Sequence, residues 1–145
     1  MSITALKSAP DRARAEQIRD VVDAFRRLYG SVQRFVLMFA DGQGTLASVG
    51  MPGSHPLNQL LSMLAVQGKA AGFRRSHELR AAIEDARGAE QLRDTIFSDA
   101  DSNDPAALRK AAIELERLDA TFVGLCVEHV MEQHARASLA LHAEH

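Results

Sequence analysis

Apolar residues recur every three or four positions along most of this chain, the pattern of helices that lay one face on a core. After Pro10-Asp11 the series Ile18, Val21, Val22, Phe25, Leu28 and Tyr29 defines a first helix, which is expected to end at Gly30. Residues 34–49, RFVLMFADGQGTLASV, read differently, because two short apolar runs flank Asp41-Gly42-Gln43-Gly44, a hairpin signal. As a strand, the first run points Phe35, Leu37 and Phe39 one way and Val36, Met38 and Ala40 the other, so it needs cover on both sides. The same residues can instead extend the first helix. A lone hairpin is marginal in water, so its cover comes from helices or from the same hairpin of a second subunit.

His55-Pro56 opens the next helix, whose stripe Leu57, Leu60, Leu61 and Leu64 is interrupted between Gly68 and Gly72. Ser76 is suited to cap a third helix carrying Leu79, Ile83 and Ala86, and beyond Gly88 the stripe is rephased onto Leu92 and Ile96. SDADSNDP is a polar linker, and its Asp104-Pro105 starts the last helix. An unbroken helix over 105–142 would be about 57 Å long, whereas a compact domain of this size is about 38 Å across. It must break, near Gly124 or after Met131, or project and meet a partner. Leu115, Leu118, Phe122, Leu125 and His129 follow a 3,4 spacing that suits either a coiled-coil seam or a core stripe. The expected architecture is a single helical domain, 1–145, mainly α. It has about four helices, a small β-hairpin between the first and second, and a long C-terminal helix.

Composition supports helix: Ala and Leu number 40, against 14 for Val and Ile. With 145 residues, 46% of them hydrophobic, the chain can build a core without staples. The lone Cys126 excludes an intrachain disulfide and fits a reducing cytoplasm, which is the expected location. No apolar run is long enough to span a membrane, and the start MSITALKSAPDRARAEQ lacks a secretory core. Charge is divided unevenly. Residues 1–75 are net +5 and residues 76–145 net −7, which attracts the two parts within one domain or between chains.

Few residue groups carry the pattern of a chemical site. Cys126, His129 and Glu132 lie three apart, with Glu128 and His134 nearby, and thiolate, imidazole and carboxylate are ligands for zinc or another transition metal. His129 also continues the apolar stripe, where a lone histidine is more often a packed core or interface residue than a ligand. No Glu-x-x-His occurs, which excludes a di-iron carboxylate bundle. Cys126 as a nucleophile is disfavoured by its apolar neighbours Leu125 and Val127. Arg74, Arg75 and Arg80, with Lys69, are the candidate nucleic-acid contacts, but the link GKAAGF is too long for a helix-turn-helix and the pI near 6.3 lacks a basic excess. Asp99-x-Asp101-x-Asn103 imitates the start of a calcium loop, yet Asp104 replaces the turn glycine and Lys110 the bidentate glutamate. Gly42, Gly44 and Gly50 match no phosphate-binding spacing. His142, Glu144 and His145 belong to a tail with little to hold it down.

No catalytic signature is present, so the chain is not expected to be an enzyme and needs no cofactor. The expected function is a protein–protein interaction module: a regulator, adaptor or chaperone-like subunit, docking through Leu118, Phe122 and Leu125 or the hairpin edge, as a homodimer. Two alternatives stand beside it. One is a metal or redox sensor using Cys126, His129 and Glu132; the other is a DNA-binding regulator using Arg74, Arg75 and Arg80.

Overall fold

The structure, a computed structural model, describes residues 9–43, 55–98 and 104–143. All the described elements are helices: α1 (Ala9–Gln43), α2 (Leu57–Ala71), α3 (Ser76–Ala86), α4 (Ala89–Ser98) and α5 (Pro105–Ala143). The mainly α expectation holds, but the hairpin does not. Residues 34–43 continue α1, and the remainder of the proposed hairpin, 44–49, lies outside the described residues. The helical period explains why. Val32, Phe35, Val36, Phe39 and Ala40 are buried on one face while Arg34 and Met38 are exposed, so one stripe needs cover rather than two. Gly30 sits within α1 in open space, where it costs about 1 kcal/mol relative to alanine, too little to end a helix held by tertiary packing.

The core is built on α1 and α5. From α1 come Val21, Phe25, Leu28, Val32, Phe35 and Phe39; α5 supplies Leu108, Leu115, Leu118, Phe122 and Leu125. Each buried Leu, Val or Phe contributes about 1.5–3 kcal/mol. Contacts rise together along the two helices, Arg27 with Glu116, Ser31 with Asp119 and Phe39 with His129, so they run parallel. The buried Ser31 hydroxyl donates to Asp119 and accepts from Arg34 Nη2 at 3.2 Å, which fixes the register of the pair.

The shorter helices fill the remaining side. Pro56 carries no capping side chain, and the Glu90 carboxylate of α4 instead accepts from the Leu57 N–H at the start of α2. Tyr29 donates to the His55 carbonyl beside it. At the other end of α2, Gly72 adopts φ 63° and ψ 39°, and the Phe73 N–H reaches the Gly68 carbonyl at 3.1 Å, a left-handed cap open to glycine at little strain. Ser76 is the first residue of α3 rather than its cap; Arg75 precedes it without a side-chain capping bond. Arg87-Gly88 separates α3 from α4, with the Arg87 N–H shared between the Ile83 and Glu84 carbonyls. Asp104 caps α5 as expected, accepting from the Ala106 N–H at 3.3 Å.

Two glycines inside helices make opposite predictions. A Cβ on Gly68 would stand 2.8 Å from Leu79 Cδ2, whose side chain is buried, whereas one on Gly124 meets nothing within 4 Å. Gly68→Ala is expected to lower stability by about 1–3 kcal/mol through overpacking. Gly124→Ala, measured in dilute protein by thermal melting, should raise it by about 0.5–1 kcal/mol.

Candidate functional site

Where α1, α5 and the turn after α2 meet, four rings converge. Phe35 and Phe39 lie one turn apart and stack at 4.9 Å, and the Gly72 turn carries Phe73 edge-on against both. His129 closes the cluster from α5, 4.0 Å from the Phe39 ring and 3% exposed. It donates to the Met38 backbone carbonyl, while Nε2 is buried without a hydrogen-bond partner. Burial in this apolar box pushes the imidazole below its ordinary value, only partly offset by the Met38 bond and the neighbouring Glu132.

The residues singled out for metal binding are thus separated by their surroundings. Cys126 is half-buried, and burial pushes its thiol up, opposed by the Arg34 guanidinium. Glu132 turns elsewhere, accepting from the Arg74 N–H at 3.4 Å and pairing with Arg136 at 3.5 Å. Among the described residues, no group of three or more His, Cys, Asp or Glu side chains is placed to hold a metal ion. The calcium-like Asp99, Asp101 and Asn103, the glycines Gly44 and Gly50, and Glu144 and His145 lie outside the described residues.

The arginine group is also drawn inward. Arg75 pairs with Glu78 and, at 3.7 Å, with Glu128 of α5, and the Glu78 bond holds its guanidinium above and the carboxyl below their usual ranges. Arg74 offers its backbone to Glu132, and only Arg80 and Lys69 line a small cleft of about 110 Å³ between α2 and α3. A wider groove of about 490 Å³ between the first turns of α1 and α5 mixes Glu16, Asp20 and Glu116 with Arg109. The charge asymmetry of the sequence is partly used within the chain, as Arg27 with Glu116 and Arg75 with Glu128 show.

Leu118, Phe122 and Leu125, the residues expected to dock a partner, are core residues with at most 2% exposure. The available face of α5 is the opposite one. Val123, Val127 and Met131 are 42%, 51% and 62% exposed, and Leu139 and Leu141 on the projecting end reach 70% and 61%. Every residue from His134 to His142 is exposed. The sequence carried this signal as an absence: from Ala120 to Leu141 the only charged residues are Glu128, Glu132 and Arg136, all three in ion pairs. No described helix is long and apolar enough to cross a membrane.

The buried imidazole gives a pH dependence with a definite sign. Because the folded state disfavours the protonated ring, the unfolded chain binds more protons below the ordinary value of 6.5, and stability falls as pH drops through that value toward the lowered one. Above 6.5 it is flat with respect to this group. The lowered carboxyls of Glu78 and Glu114 act only below their ordinary 4.5. Denaturant melts of wild type and His129→Leu between these limits should show the slope in the first and its loss in the second.

Comparison of the chain with protein-family models, curated proteins and solved structures found no match.

Proposed function

We propose that this protein is a helical protein–protein interaction module, a regulator or adaptor that works by contact through the outward face and projecting end of α5. The observation that carries the reading is the row of exposed apolar side chains Val123, Val127 and Met131 continuing to Leu139 and Leu141 on a helix that outruns its own core. Contiguous apolar surface of this kind on a soluble domain marks an association site. A solvated helix would carry interleaved charge there, as the front of α5 does with Lys110, Glu114, Glu116 and Arg117.

Leu118, Phe122 and Leu125 support that face from behind rather than forming it, since their burial against α1 holds the helix in place. A photo-crosslinking amino acid placed at Val127, and separately at the exposed Arg80 as a control, tests the reading in the intact cell. Polypeptide adducts are expected from Val127 and not from Arg80. No adduct at Val127, or equal labelling at both, would overturn it.

A further inference from the structure

The outward face of α5 has a regular composition that says what covers it. Ala120, Gly124, Val127, Met131, His134, Ser138 and Leu141 recur at intervals of four and three, the spacing that keeps one helix seam against another through a left-handed supercoil. Ile113 is apolar and exposed in the same phase, but Lys110 and Arg117 interrupt it, so the uncharged seam begins at Ala120. From there to Leu141 it spans about 32 Å.

Resting on the interaction-module reading, we infer that the partner is a second copy of this chain, with the two α5 helices packed antiparallel about a twofold axis. The seam is complementary to itself only in that direction. Setting Met131 against His134 of the other copy places Val127 opposite Ser138 and Gly124 opposite Leu141, so bulky and small side chains alternate across each layer. Gly124 has nothing within 4 Å of its missing Cβ, which leaves a bare stretch of helix to receive a leucine. A parallel pairing would put Gly124 on Gly124 and Ser138 on Ser138, leaving voids, and would gather the two projecting ends away from either core.

The antiparallel arrangement also covers both unsatisfied features at once. The end from His134 to His142, exposed throughout, lies along the stretch Val123 to Met131 of the other copy, which is backed by Leu125 and His129 in the core. The operation is reciprocal, as a closed twofold contact requires. No like charges are apposed, because Glu128 is held by Arg75 at the margin and Arg136 by Glu132. The footprint, one helix width by about 26 Å from Gly124 to Leu141, falls below the standard size of specific interfaces, as expected of a weak, reversible dimer.

Sedimentation equilibrium of the full chain across the micromolar range should show a monomer–dimer equilibrium. Met131→Glu, at a residue 62% exposed, should weaken the dimer at least tenfold while leaving the thermal melt of dilute protein unchanged. Direction is read by oxidation in a Cys126→Ala background. Gly124→Cys mixed with Leu141→Cys should form an intermolecular disulfide, while neither variant alone should. Disulfides in each single variant would overturn the antiparallel pairing. A monomer at every concentration would overturn self-association; if Val127 then crosslinks a different polypeptide in the cell, the interaction reading stands with another partner, and if it crosslinks nothing, both fall.

Discussion

The parallel packing of α1 on α5, in a shifted register, decides most of what this molecule exposes. Asp119 stands 88 positions after Ser31, and at that offset Gln43, the end of α1, comes level with Met131. α5 continues to Ala143, about 18 Å further. The bare end therefore follows from the register, and the register is held by a buried hydroxyl, a carboxylate and a row of Phe and Leu side chains rather than by the helix's own preferences.

The aromatic box stands close to the limit of that support. Phe39 is near the end of α1, Phe73 is delivered by the left-handed Gly72, and His129 is the last residue of α5 with its side chain fully in the core. One imidazole nitrogen is paired and the other is not, in a setting where a charged ring would lose its hydration without gaining a partner. The C-terminal anchor of the α1–α5 pair is thus an acid-sensitive contact, while the middle of α1 is held by the Ser31–Asp119 and Arg34–Ser31 hydrogen bonds.

Much of the framework was legible in the sequence, and the failures have physical causes. The stripes Leu57, Leu60, Leu61, Leu64 and Leu79, Ile83, Ala86 are core, and Asp104-Pro105 starts α5, because each rests on local periodicity or local capping. Residues 34–43 were ambiguous because a run apolar at nearly every position satisfies a period of two and of 3.6 alike; length and cover decide, and cover is a tertiary property. Glu90 capping α2 could not be read, since the donor and acceptor are 33 residues apart and the local cap position is a proline. The apolar 3,4 series through Leu118, Phe122 and Leu125 was visible, but periodicity does not say whether a stripe meets its own chain or another. The larger side chains went to the core.

What that leaves outside is a second, weaker seam, built of Ala, Gly, Val, Met, His, Ser and Leu, on the opposite side of the same helix. A helix apolar on two opposite faces can bury only one of them against its own fold, and α1, α3 and α4 are the elements that pack on α5. The outer face then has two physical options: to be charged, as it is before Arg117, or to be covered. That face loses its charge from Ala120 on, while α1 still backs the helix, and stays uncharged along the end that runs past α1 beyond Met131. The outer face of α5 carries Lys110 and Arg117 over its first part and no charge from Ala120 to Leu141, with Glu132 and Arg136 paired to each other away from it.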